Sequence, residues 1–226
     1  MQLNKIIILI SLIFFSCDDS NEYDVIIIGG GTGGTSAAIQ SARNGVKTLL
    51  IEKTDWLGGM LTSAGVSAVD GNYNLPSGFW GEFRDSLSSH YGGLDKLKTG
   101  WVSNVLFEPR LGNEILKSIA KKEKNLKILF SCNINSVFQP KDDHYNFIVN
   151  SSKGKFASKV LIDATELGDI LPFLNEDYDI GMDDRFMYNE DIAPDIKNDI
   201  IQDLTYVMIL KNYNKNVKIE IPKNNA

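Results

Sequence analysis

The sequence predicts an α/β fold built on a parallel sheet, and three observations carry that expectation. Residues 25–28, Val-Ile-Ile-Ile, form an unbroken apolar, β-branched run, as a strand buried on both faces requires. A glycine-rich turn and an alanine-containing stretch with helical character follow at once. A second strand-like segment at 47–52, Lys-Thr-Leu-Leu-Ile-Glu, then closes on an acid, Glu52. Strand, glycine turn, helix and strand in that order make a βαβ unit of Rossmann type.

The first strand passes into glycines that fit G-x-G-x-x-G as Gly29, Gly31 and Gly34. In that pattern the first glycine permits a tight turn and the second lets backbone approach a pyrophosphate. The third lets helix and strand pack closely. A helix is predicted over 35–44, with Ala37, Ala38 and Ala42 as small contacts and Gly45 as the stop. Its N-terminus would offer free N–H groups and the positive end of the helix dipole to phosphate oxygens. Glu52 falls 21 residues after Gly31, the place of an acid that takes a ribose hydroxyl pair. The unit therefore predicts a dinucleotide site.

Residues 54–110 change character. They hold nine of the 19 glycines, all 3 tryptophans and five further aromatics. A nicotinamide-binding domain should resume its strand–helix alternation within a few residues, and this stretch does not. The dinucleotide expected here is accordingly FAD, whose folds interrupt the first βαβ unit with long excursions. An amphipathic helix follows at 111–124, with Leu111, Ile115, Leu116, Ile119 and Ala120 on one face. Three short strands at 126–130, 134–138 and 145–149 read as a small meander, and a fourth at 156–162 returns to the parallel sheet. Residues 166–203 carry twelve acids against Arg185 and Lys197, a solvated face with no binding role assigned.

At 226 residues and 43% hydrophobic, the chain can bury a core in one to two domains. A net charge of −6 argues against a nucleic-acid partner. Residues 1–17 stand apart: Lys5, a ten-residue apolar core at 6–15, then Ser16-Cys17. That pattern suits an export signal. It resembles the lipobox of bacterial lipoproteins, in which Cys17 would be acylated and hold the protein at a membrane surface, although Phe14 stands where leucine is usual. Plain secretion and an uncleaved anchor are the alternatives. Residues 18–22 would form a polar tether. Of the 2 cysteines, Cys132 lies beside Leu129 and Phe130 and suits a small buried role. Two cysteines and 2 histidines compose no visible metal site.

Three segments together resemble the FAD-dependent oxidoreductases of the glutathione-reductase-like superfamily, particularly the group related to the flavoprotein component of heterodisulfide reductase. They are the glycine motif with Glu52, the run from Leu57-Gly58-Gly59 through Gly78-Phe79-Trp80-Gly81 to Gly100-Trp101, and Ile162-Asp163-Ala164-Thr165-Glu166-Leu167-Gly168-Asp169. The resemblance implies a Rossmann-like FAD/NAD(P)-binding domain over 23–170. It implies that Gly29, Gly31 and Gly34 contact the pyrophosphate and Glu52 the adenosine ribose. Gly58 and Gly59 would lie where the chain passes the cofactor, and Thr165 beside FAD. Glu166 replaces a glycine that often follows that threonine. Relatives named for heterodisulfide reduction carry cysteine-bound clusters, so the resemblance transfers the flavin fold and not that reaction. Only 57 residues follow Asp169, which leads to the expectation of an N-terminal fragment with 171–226 a partial second domain.

The expected function is an exported FAD-dependent oxidoreductase acting on a small-molecule substrate or electron acceptor. A non-catalytic lipoprotein that keeps the domain as a scaffold is the alternative from another class, and a nicotinamide-only dehydrogenase is disfavoured by residues 54–110. Glu82, Arg84, Asp85, His90, Tyr91, Glu108 and Arg110 are polar groups that could line a site. None of them is singled out as a catalytic acid or base, because that role requires hydrogen-bond reach to a substrate.

Overall fold

The computed structural model describes residues 21–100, 103–141, 144–204, 207 and 213–218. Cys17 and the expected export signal at 1–17 lie outside the described residues.

The βαβ unit stands at the centre. Strand β1 (Glu22–Ile28) enters the glycine turn, α1 (Thr32–Arg43) crosses, and β2 (Thr48–Ile51) pairs parallel to β1 with Val25 opposite Thr48. Glu22 belongs to β1 and not to the expected tether, because the ladder extends back to it opposite Ala157. Helix α1 begins three residues before the stretch its sequence pattern marks. The reason is visible in the backbone: Gly31 is extended and caps the helix, and its carbonyl already accepts from the Thr35 N–H at 2.9 Å.

Beyond the unit lie α3 (Pro109–Ala120), β5 (Leu126–Leu129), β6 (Ile134–Phe138), β7 (Phe147–Ser151) and β8 (Gly154–Asp163), with α2 described below. Pro109 at the first turn of α3 needs no N–H there, so the helix starts at the proline and ahead of the expected 111. The six-stranded sheet runs β5-β2-β1-β8-β7-β6. Its first four strands are mutually parallel, and β7 and β6 extend it in antiparallel fashion. Contrary to the sequence expectation, residues 126–129 do not open the meander. They form the parallel edge beside β2, where the Thr48 and Glu52 N–H groups donate to the carbonyls of Asn125 and Leu129. The meander consists of β6, β7 and the first half of β8.

Period-two alternation divides the core. Ile27 and Leu50 face α1 and α3, meeting Ala38, Ile39, Leu116 and Ile119. Ile26, Ile28, Leu49 and Ile51 face the other way, onto Val137, Val149, Phe156 and Ile170. Cys132 is buried in that second layer, as its apolar neighbours suggest.

The excursion contains more regular structure than its glycines advertise. It holds β3 (Ala68–Val69) paired antiparallel to β4 (Val105–Leu106), and the 14-residue helix α2 (Gly78–Tyr91) between them. Trp80, Phe83, Leu87 and Tyr91 follow helical spacing and pack into the layer of α1 and α3. Arg43 at the end of α1 bridges to Glu82 on α2 at 2.9 Å and to Glu123 after α3 at 2.8 Å. Past β8 the described residues include two four-residue helices, α4 (Leu171–Leu174) and α5 (Arg185–Tyr188).

Leu87 is fully buried beneath α2, so Leu87→Ala should cost about 2–5 kcal/mol through the cavity it leaves. Urea unfolding should show this as a lower midpoint. A loss well under about 1 kcal/mol would mean that the excursion is not part of the cooperative core.

Candidate functional site

The sheet order places β2 on one side of β1 and β8 on the other, so the chain leaves β1 and β8 side by side at their C-terminal ends. That crevice is where open parallel sheets bind ligands. Its floor is made by backbone packed closer than side chains allow. Gly29 has φ +100°, and a Cβ there would overlap the Ala164 carbonyl oxygen at the end of β8. A Cβ on Gly34 would overlap the Gly29 oxygen. Gly31 differs: its backbone is ordinary extended, and the nearest obstacle is the free end of a side chain, Glu166 Oε1, at 2.9 Å. No side chain caps α1 and no acid occupies its first turn, which leaves the leading N–H groups and the dipole to an anionic ligand.

Glu52 lies just past β2 and is only 7% exposed. Its Oε2 accepts from the Gly30 N–H at 2.5 Å, and its Oε1 accepts from the Thr54 N–H and hydroxyl at 2.7 Å each. The carboxylate thus ties the glycine turn to the start of the excursion. A carboxylate has about four lone-pair positions. Three are used, which leaves acceptor capacity toward the cavity it lines.

The excursion comes back against the glycine turn. Gly58 donates to the Gly30 carbonyl at 2.8 Å, and its own carbonyl accepts from the Thr32 hydroxyl at 3.1 Å. A Cβ on Gly58, at φ +104°, would strike Leu116 and Thr62 at 2.7 Å, so this glycine faces the core. Gly59 beside it faces the cavity. From below, the buried Asn113 of α3 accepts the Leu57 N–H at 2.9 Å and holds the approach in place.

The third segment is a turn built by Asp163. Its Oδ1 accepts from the Thr165 N–H at 2.9 Å and hydroxyl at 2.7 Å, and its Oδ2 accepts from the Ile170 N–H at 3.1 Å. The Thr165 oxygen in turn accepts from the Asp169 N–H at 2.7 Å. Thr165 therefore shapes the end of β8, with its hydroxyl hydrogen already committed.

These segments enclose a cavity of about 410 Å³. Gly29, Gly31, Glu52, Gly59 and Thr165 all line it. Gly34 and Gly58 do not; they lie behind it, packed on Gly29 and on Leu116. One end of the cavity is apolar, with Ile51, Cys132, Ile134, Ile170 and Phe173, while Lys53, Thr54, Asn133 and Asp169 add polar edges. Sequence reasoning misses this end, because its residues come from separate segments and carry no shared motif. It misses Thr35 as well, whose hydroxyl donates to the Gly30 carbonyl at 2.9 Å; a hydroxyl one place after the third glycine is the available signal.

The polar residues of the excursion sit elsewhere. Arg84 is buried and donates to the Leu75 carbonyl at 2.8 Å and to Asp85, and Glu82 is paired with Arg43. Arg110 pairs with Glu114, and His90 packs edge-on against Tyr91. Tyr91 and Glu108 line a second cavity of about 380 Å³ with Lys96, Thr99 and Val207.

Sheet order, uncapped helix and glycine floor define a dinucleotide-binding α/β protein. A family model described as FAD dependent oxidoreductase matches residues 24–224, and the chain belongs to that family. Local similarity extends to dihydrolipoyl dehydrogenase 2 of Arabidopsis thaliana, 49% identical over 51 residues, which are 23% of this chain and 10% of that one. It extends also to a digeranylgeranylglycerophospholipid reductase of Methanocaldococcus jannaschii, 56% identical over 39 residues, 17% of this chain and 10% of that one. Among solved structures, a thioredoxin reductase from Gloeobacter violaceus aligns with a TM-score of 0.41 at 17% identity, covering 65% of this chain and 38% of that one. The bacillithiol disulfide reductase of Staphylococcus aureus aligns with a TM-score of 0.42 at 22% identity, covering 66% and 39%. The matched stretches span 10% of each of these two curated relatives. The cofactor of the family is FAD. The residues present fit it: backbone free of Cβ atoms at Gly31 and Gly59, uncapped helix donors, and a carboxylate with spare acceptor capacity.

The glycines divide by what surrounds them. Gly34→Ala must push backbone apart, so it should lower the melting temperature of the cofactor-free chain. Gly31→Ala meets only a flexible side chain and should leave that temperature unchanged while weakening FAD. Thermal melts with and without FAD check both, and equal destabilisation by the two changes would contradict this division.

Proposed function

We propose that the chain binds FAD in the crevice between β1 and β8 and serves as the dinucleotide-binding part of an exported oxidoreductase. The convergence of Gly29, Gly31, Glu52, Gly59 and Thr165 on one cavity at an uncapped helix start carries this reading. In it the diphosphate lies over the leading N–H groups of α1, against Gly31 and Gly59. Glu52 accepts from the adenosine ribose, and the base lies in the apolar end among Ile51, Ile134, Ile170 and Phe173. Gly34 and Gly58 contribute by shaping the floor, and Thr165 by holding the end of β8 open beside the cofactor. FAD, once bound, supplies the electron-transfer chemistry, and the protein supplies position, exclusion of water and local electrostatics. The other participant is a small-molecule substrate or electron acceptor; the acidic net charge speaks against nucleic acid.

Glu52→Ala tests the site. A hydrogen bond to a charged group contributes about 1.5–3 kcal/mol. At about 1.4 kcal/mol per tenfold, FAD affinity should fall by roughly 10- to 150-fold. The same change also orphans the Gly30 N–H, so the cofactor-free chain should melt at a lower temperature too. Unchanged FAD affinity in a titration would refute the ribose assignment.

The address is a second part of the proposal. Acylation at Cys17, after the apolar core at 6–15, would place the domain at a membrane surface. Intact-mass analysis of protein from its native host should find residues 1–16 removed and lipid on Cys17. Retained residues 1–16 or a free Cys17 thiol would exclude it.

A further inference from the structure

The Glu166 carboxylate reaches over the glycine turn. Its Oε1 lies 2.9 Å from where a Cβ on Gly31 would stand and 2.5 Å from where one on Gly59 would stand. It therefore lies over the two glycines, whose backbones touch at the start of α1, and it lines the same cavity as they do. The side chain is exposed, and no hydrogen bond or ion pair with the described residues holds its carboxylate there. Of the other charged groups lining the cavity, Glu52 is bound to Gly30 and Thr54, while Lys53 and Asp169 complete the set.

We propose that Glu166 is a displaceable carboxylate gate that competes with the cofactor diphosphate for the seat over Gly31 and Gly59. The inference rests on the placement of the diphosphate given above. An anionic side chain at a helix N-terminus is favoured by the dipole, as a phosphate would be. A carboxylate and a diphosphate cannot share that seat, because like charges a few ångströms apart repel and because their oxygens would overlap. Cofactor entry thus requires Glu166 to swing outward, which its exposure and the absence of a partner among the described residues permit. The gate acts on the phosphates alone. The adenosine end of the cavity, around Ile134 and Phe173, is built by other residues and does not feel it.

The test compares ligands that do and do not carry the diphosphate. The full chain and its Glu166→Gln variant are titrated with FAD, ADP and adenosine by calorimetry. Each titration is run at low salt and again at about 0.5 M salt, where charges more than about 4 Å apart are screened. Because Glu166 is solvent-exposed, the charge effect is moderate. Glu166→Gln should bind FAD and ADP roughly 3- to 10-fold more tightly at low salt, with that gain shrinking at high salt and adenosine unaffected. An unchanged melting temperature of the cofactor-free variant would accompany this result. Weaker FAD binding by the variant, no change, or an equal gain for adenosine would overturn the gate while leaving the FAD site standing. Failure of the unmodified chain to bind FAD or ADP at all would overturn the site assignment and the gate with it.

Discussion

Three backbone segments meet within the reach of a single methyl group at the C-terminal end of the sheet, and the architecture follows from that contact. The turn after β1, the first turn of α1 and the end of β8 approach so closely that Gly29 and Gly34 have no room for a Cβ. Were either residue larger, α1 would stand away from β1 and the end of β8 would be displaced from the crevice. The apolar layers on each face of the sheet accommodate this geometry, since Ala38 and Ala42 keep the helix surface low where it crosses β1 and β2. Hydrophobic burial makes the sheet stable, but the glycine contact decides where its crevice opens.

Glu52 acts as the strut of that crevice. A buried carboxylate is costly unless its oxygens are satisfied, and Glu52 meets the requirement with N–H and hydroxyl donors from Gly30 and Thr54. The same bonds fix the orientation of its remaining lone pairs. The carboxylate is thus already rigid before any ligand arrives, which lowers the ordering cost of any further hydrogen bond it accepts. The excursion adds a second strut, through Gly58 and the Gly30 carbonyl. The N–H and the carbonyl of Gly30 are both engaged by segments far away in sequence, so the turn cannot relax independently of them.

Much of this is legible in the sequence, for reasons that differ from element to element. The βαβ unit can be read because period, glycine spacing and the acid after β2 each constrain the same geometry. Helix α3 can be read because Leu111, Ile115, Leu116, Ile119 and Ala120 keep helical spacing, although its buried face also carries the polar Asn113. Helix α2 cannot, since Gly78 and Gly81 lower helix propensity and mask the Trp80, Phe83, Leu87, Tyr91 spacing. Strand β5 is legible as a strand, but its parallel partner is not, because so short a run carries no information about neighbours. Gly58 and Gly59 are adjacent and look equivalent, yet one packs on Leu116 and the other opens on the cavity. Only the third dimension separates them. The apolar end of the cavity is invisible for the same reason, being assembled from the end of β2, the turn before β6 and the chain that follows β8.

Residues that build the site and residues that face its ligand are therefore largely different sets here. Asp163 and Thr165 commit their hydrogen bonds to each other and to the Ile170 and Asp169 N–H groups. Gly34 and Gly58 serve close packing through their missing side chains, and Asn113 holds the approach from below. What remains for the ligand is mostly backbone: the leading N–H groups of α1 and the bare edges of Gly31 and Gly59. Backbone contacts recognise phosphate through geometry and partial charge, with little selectivity for what is attached beyond it. Discrimination must then come from the few side chains that do face the cavity. Glu52, Lys53, Thr54, Asn133 and Asp169 on its polar edges, Ile134 and Phe173 at the apolar end, and Glu166 beside Gly31 and Gly59 are side chains through which this crevice can distinguish one dinucleotide from another.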